Sequence, residues 1–143
     1  MNVERILATK GSHVVTVSPK APIAEAVALL AANRVGALVV SEDGTSIEGI
    51  ISERDIVGDL AARPGGSLDA PVASIMSSEV RTCHMSDEIE ALMEVMTEHR
   101  IRHVPVVREG RLAGIVSIGD VVKSRIGELE HARHELLEYI GAR

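Results

Sequence analysis

The chain has 143 residues, 45% of them hydrophobic, a formal charge of −6, one Cys, one Tyr and neither Trp nor Phe. That length supports one compact domain or two intimate half-domains around a core of Val, Ile, Leu, Ala and Met. The acidic balance argues against duplex nucleic acid and the missing aromatics against single strands, while the lone Cys83 leaves no intrachain disulfide to form.

The opening MNVERILATKG is too short and too charged for a signal peptide. Val3, Ile6 and Leu7 fall at helical spacing there, and Gly11 stands where a helix stops. Val14 to Val17 reads as a short strand ending at Ser18-Pro19. Ile23 to Asn33 reads as a helix with Ile23, Val27 and Leu30 on one face. Ala37 to Ser41 and Ile47 to Ser52 form a hairpin about Glu42-Asp43-Gly44, and a helix follows from Glu53 to about Ala61. Arg63-Pro64-Gly65-Gly66-Ser67 is a linker, and Pro71 to Met76 a short helical turn.

The same order then returns: strand Val80 to Cys83, helix Asp87 to His99, strand Arg102 to Arg108, a turn at Glu109-Gly110, strand Leu112 to Ser117. Ile89, Leu92, Met93 and Met96 make an apolar stripe. Beyond Ser117 the helical pattern runs on, with Val122, Ile126, Leu129, Leu136 and Ile140 in a heptad-like seam broken by Arg133. Such a helix of about 22 residues, roughly 33 Å long, predicts packing on a second subunit. No run of about 18 apolar residues suggests a membrane span, and the chain reads as a soluble cytoplasmic protein.

The second half repeats the first. Thr16 and Thr82, Ile23 and Ile89, Arg34 and Arg100, and Gly44 and Gly110 lie 66 positions apart. After one inserted residue, Gly49 and Gly114, Ser52 and Ser117, and Asp55 and Asp120 lie 65 apart. Two copies of one unit can pack about a pseudo-twofold axis and set equivalent residues around a shared cleft.

The repeated polar signal is Ser-x-x-Asp after a strand: Ser52 with Asp55, Ser117 with Asp120. Its plain meaning is a helix capping box. Its surroundings give it a second meaning, because a helix N-terminus favours phosphate and an Asp there can accept both hydroxyls of a ribose. Arg54 lies inside the first pair and can supply a charge-assisted contact; Gly119 takes that place in the second. His99-Arg100-Ile101-Arg102-His103 is either a solvated basic helix end or an anion clamp that meets Arg54 across the cleft. Copy one has Asn33-Arg34-Val35-Gly36-Ala37 at the matching place. His99 with His103 and His131 with His134 have helical metal spacing, but no third ligand accompanies either pair. No nucleophile elbow, P-loop or acid–base pair is present, so catalysis is unsupported.

The doubled β-α-β-β-α order, with Gly-Ile-Ile-Ser-Glu-Arg-Asp closing copy one and Gly-Ile-Val-Ser-Ile-Gly-Asp closing copy two, resembles the cystathionine-β-synthase (CBS) domain family over residues 8 to 125. The resemblance implies an α+β fold: two β-α-β-β-α repeats about a pseudo-twofold axis, sheets packed face to face, plus the long C-terminal helix. The expected divisions are 1–62 for the N-terminal helix and first repeat, 63–71 linker, 72–125 second repeat and 126–143 helical extension.

The same resemblance implies a non-catalytic adenine-nucleotide sensor. In its first site Thr16 and Val17 would lie beside adenine, Ser52, Arg54 and Asp55 at phosphate and ribose, and Arg102 and His103 across the cleft. A second site would use Thr82, Cys83, Ser117 and Asp120. AMP is the favoured ligand among AMP, ADP, ATP, NAD(H) and S-adenosylmethionine. The expected partners are a second copy and an unidentified downstream protein, with no nucleic acid and no membrane. The alternative is a structural adaptor acting through its C-terminal helix.

Overall fold

In a computed structural model, which describes residues 1–141, α1 (Val3–Lys10) precedes two copies of one unit. Copy one is β1 (Thr16–Val17), α2 (Ile23–Asn33), β2 (Ala37–Val40), β3 (Gly49–Ser52) and α3 (Glu53–Ala62). A single 3-10 turn, Val72–Ser74, leads to copy two: β4 (Cys83–His84), α4 (Ile89–His99), β5 (His103–Arg108), β6 (Arg111–Ser117) and α5 (Ile118–Gly141). Local chemistry sets these limits. Asn2 caps α1 by accepting the Arg5 amide at 3.1 Å, and Gly11 ends it with φ of 100°. The Glu109-Gly110 turn, with φ of 52° and 75°, joins β5 to β6 tightly.

Each copy forms a three-stranded sheet, β1-β2-β3 and β4-β5-β6, the first pair parallel and the second antiparallel. The leading strands are shorter than the sequence suggests, since only Thr16–Val17 and Cys83–His84 pair with their neighbours. Strand alternation turns Leu38, Val40 and Ile51 toward Val17, Ile23, Ala26, Leu30 and Ile56 in one core. Val104, Val106 and Val116 meet Cys83, Ile89, Leu92, Met96 and Val121 in the other. Val39 and Pro105 point the opposite way, are buried, and belong to neither core. They fall in the layer between the two sheets, which explains why every residue of β2 is buried. On α2 the buried face holds Ala26, and Val27 is 38% exposed. In a helix so rich in Ala and Leu, more than one face looks apolar.

The copies also exchange their leading segments. Val3, Ile6 and Leu7 of α1 sit in the core of copy two, anchored where Val3 and Glu4 amides donate to Asp87 and Met85 carbonyls. Val72 sits in the core of copy one, anchored by Ile23 donating to Ala70 and Val72 donating to Ala21. A glycine admits each strap: a Cβ on Gly49 would lie 2.6 Å from Met76 Sδ, and one on Gly114 2.7 Å from Leu7 Cδ1.

The terminal helix α5 has 24 residues and a length of about 36 Å. Val122, Ile126, Leu129, Leu136 and Ile140 on it are each between 46% and 60% exposed. No described helix is long and apolar enough to cross a membrane.

Candidate functional site

The face-to-face packing of the copies opens a cleft of about 580 Å³ where the N-terminus of α3 meets the start of β5. Ser52, Glu53, Arg54, Asp55 and Val57 line it from copy one, and Arg100, Ile101, Arg102 and His103 from copy two. Gly36, Ala37, Ile50 and Ser77 complete the wall. Ser77 reaches it because the strap bonds β3 in both directions, Ile50 N to Ser77 O at 3.0 Å and Ser77 N to Ile50 O at 2.9 Å. Arg100 adopts the left-handed conformation, φ 53°, at the end of α4. That exit turns the chain from helix to strand within the basic run and delivers Arg102 and His103 to the cleft. Arg34 has the same φ in copy one.

Asp55 serves its own helix and the cleft together. Its Oδ2 accepts from the Ser52 amide at 2.9 Å and from Ser52 Oγ at 3.0 Å, while its amide donates to Ser52 Oγ at 3.2 Å. This is the capping box anticipated from Ser-x-x-Asp. Both carboxylate contacts fall on Oδ2, and Oδ1 accepts nothing from the described residues. Around it, none of Arg54, Arg100 and Arg102 forms an ion pair among the described residues. Glu53 is the other acidic residue on the wall besides Asp55. Unpaired guanidiniums beside a helix N-terminus make a site for an anion, and a free carboxylate oxygen beside them accepts hydroxyls.

His103 is half-buried between the copies. Burial holds its imidazole below the ordinary value of 6.5; Lys10 and Arg102 push the same way, and Asp120 and Glu53 push back. Its ring lies over Gly36, where a Cβ would come within 3.2 Å of Cε1.

The remaining expected residues lie elsewhere. Thr16 and Val17 pair with β2 and do not line this cleft; Val17 is buried in the core of copy one. Because the straps are exchanged, the leading segment beside Asp55 is that of copy two, entering at Ser77. On the other side, Thr82 is exposed and Cys83 is a core residue whose thiol burial pushes up to about 12. Ser117 caps α5 by accepting the Asp120 amide at 3.1 Å. Asp120 borders a different cavity, between α1 and α5, and Lys10 Nζ lies 2.5 Å from its Oδ2. His131 and His134 each bond a glutamate one turn on, Glu135 and Glu138. Sequence reasoning missed Lys10 and Ser77. The straps correspond at a spacing of 69 rather than 66, Val3 with Val72, Glu4 with Ala73 and Leu7 with Met76, so the repeat register does not mark them.

The paired units correspond to a known domain: the CBS domain family model matches residues 3–62 and 72–127. The chain belongs to the CBS domain family. Its CBS pair resembles the crystal structure of the CBS-domain containing protein ATU1752 from Agrobacterium tumefaciens, with TM-score 0.84 and 46% identity over 87% of this chain and 99% of that one. It also resembles the CBS domain protein PAE2072 from Pyrobaculum aerophilum complexed with AMP, TM-score 0.79 and 34% identity over 93% and 99% of the two chains. The CBS domain pair of MJ0100, in complex with 5′-methylthioadenosine and S-adenosyl-L-methionine, gives TM-score 0.77 and 26% identity over 90% and 98%. Against the mitochondrial CBS domain-containing protein CBSX3 of Arabidopsis thaliana, identity is 36% over 120 residues, covering 81% of this chain but 58% of that protein.

Proposed function

We propose that this CBS pair is a non-catalytic cytoplasmic regulator that binds an adenosine phosphate, AMP first among AMP, ADP, ATP and NAD(H), in the Asp55 cleft. The observation that carries the reading is the meeting of unpaired Arg54, Arg100 and Arg102 with an open oxygen of Asp55 in one nucleotide-sized hollow. Asp55 Oδ1 accepts ribose hydroxyls, the guanidiniums and His103 hold phosphate, and Ser52 fixes the carboxylate. The adenine end lies toward Ile50, Val57 and Ser77. A resemblance to an AMP complex supports the choice. S-adenosylmethionine has no phosphate and carries a sulfonium charge, which three guanidiniums disfavour.

Calorimetric titration with AMP, ATP, NADH and S-adenosylmethionine tests this. Saturable heat with the phosphate-bearing ligands and weaker heat with S-adenosylmethionine is the expected result; silence from all four overturns it.

The His103 imidazole supplies a pH signature. A bound phosphate adds negative charge near a ring on which Lys10, Arg102, Glu53 and Asp120 already act, and draws a proton onto it. Binding is therefore coupled to proton uptake, and affinity rises as pH falls from 8 to about 6.5. The stability of the free protein moves the other way. A histidine whose folded value is depressed contributes stability above its unfolded value, and that stability fades as pH falls below about 6.5. His103→Asn is expected to flatten both profiles, and because each is compared with wild type, ionisation of the phosphate itself cancels. An unchanged slope of affinity against pH would remove His103 from the phosphate site.

The exposed seam on α5 supports a second element of the reading, assembly into a homodimer through this helix. It equally supports the alternative of a structural adaptor, which the titration separates. Ending the chain at Gly127 removes Leu129, Leu136 and Ile140, and light scattering is expected to show half the parent mass. A parent that is already monomeric, or a truncation that keeps its mass, counts against the seam.

A further inference from the structure

The two copies differ most sharply at their equivalent aspartates. Asp55 and Asp120 both sit three residues into a helix and both accept the amide of their capping serine, at 2.9 and 2.8 Å. Among the described residues, Asp55 receives nothing further from outside its copy. Asp120 receives the ammonium of Lys10, from 110 positions away, at 2.5 Å, and the same ammonium donates to the Ile115 carbonyl at 2.8 Å. The pair is partly buried, with side chains 32% and 23% exposed. Burial alone would raise the Asp120 carboxyl, but Lys10 and the Ser117 amide hold it below the usual carboxylate range. The contact is therefore an ion pair at neutral pH.

The strap exchange explains why only one copy has such a cation. Strap for strap, Leu7 over Gly114 corresponds to Met76 over Gly49, and Lys10, three residues on, corresponds to Glu79. A glutamate there has no cation to give a carboxylate, so Asp55 has no counterpart of the Lys10 contact. The Asp120 cavity has different cations, Arg5 and Lys123 beside Lys10, and three of the basic residues of the other cleft have uncharged equivalents. Gly119 stands for Arg54, Gly36 and Ala37 stand for Arg102 and His103, and the His103 ring covers Gly36.

We infer that Lys10 determines which cleft takes a nucleotide: its ammonium occupies the Asp120 carboxylate and leaves Asp55 as the one aspartate open to a ribose. The inference rests on the nucleotide reading proposed above. A ribose hydroxyl is a neutral donor, whereas the ammonium adds the attraction of a full opposite charge at the carboxylate. A ligand at Asp120 must first displace Lys10 from both of its acceptors. The second cleft is then at least tenfold weaker than the first.

Calorimetric titration of the full chain with AMP tests this by stoichiometry. Wild type is expected to bind one AMP per chain, and Asp55→Ala to weaken that site by at least tenfold. Lys10→Met, which removes the ammonium and keeps an unbranched side chain, is expected to expose a second site. The double variant Lys10→Met/Asp55→Ala then retains one site that disappears with Asp120→Ala. Lys10→Gln serves as an independent variant, and cooperative thermal unfolding confirms that each protein is folded. Two AMP per wild-type chain, or a site surviving Asp55→Ala that depends on Asp120, overturns the inference while leaving the nucleotide reading intact. One site in folded Lys10→Met and Lys10→Gln also overturns it. Absence of any AMP heat in wild type defeats the nucleotide reading itself, so the two failures are distinguishable.

Discussion

Asp55→Ala is expected to lower AMP affinity by at least tenfold while leaving a folded protein. A hydrogen bond to a charged group contributes about 1.5–3 kcal/mol, and about 1.4 kcal/mol is tenfold in affinity, so losing even one ribose contact to Oδ1 reaches that size. The cost to the fold is smaller. Asp55 also accepts the Ser52 amide and hydroxyl, and losing a cap of this kind costs about 0.5–2 kcal/mol. Calorimetry and urea unfolding on one preparation separate the two effects. Affinity within twofold of wild type in a folded variant would reduce Asp55 to a helix cap. Asp120→Ala supplies the contrast, because it removes the equivalent cap and the Lys10 pair without touching the cleft where AMP is placed.

Gly49→Ala should be the most damaging single methyl addition of the two equivalent ones. A Cβ there meets Met76 Sδ at 2.6 Å and the Ser77 carbonyl oxygen at 2.9 Å. The second contact is backbone, held to β3 by two hydrogen bonds, so relief requires the strap to leave the sheet. Overpacking of this kind costs about 1–3 kcal/mol. Gly114→Ala meets only Leu7, at 2.7 Å and beyond, the outer end of a side chain that can rotate. We expect it to cost less than half as much. Because Ser77 also lines the Asp55 cleft, Gly49→Ala should weaken AMP binding as well, and Gly114→Ala should not. Equal losses in urea midpoint for both variants would contradict this account of the straps.

Repetition made most of the architecture readable without coordinates. The limits of α2, Ile23–Asn33, coincide with the periodic run, since Pro22 precedes it and Arg34 leaves it in a left-handed conformation. The approach of Asp55 to Arg102 and His103 fits a pseudo-twofold packing, which sets the helix start of one copy against the strand entry of the other. What symmetry concealed lies at its edges. The family resemblance implies Thr16 beside Asp55, both in copy one, whereas the exchanged straps bring Ser77 to this cleft. Lys10 stands outside the repeated segment and reaches its carboxylate through a tertiary contact that no local pattern encodes. The stripe on α2 was misread at Val27 because small alanines on several sides give the helix no single apolar face.

The crossed straps also decide how the polypeptide can be divided. A cut at Gly65-Gly66, in the exposed linker, would separate each hydrophobic nucleus from the segment that seals it: one fragment keeps Val3, Ile6 and Leu7 but loses their β6 seat, the other keeps Val72 without its niche. Neither fragment is a minimal unit. Mixed together, they have the complementary pieces to rebuild the whole, so the molecule is suited to a split reporter whose halves report on their own reassembly.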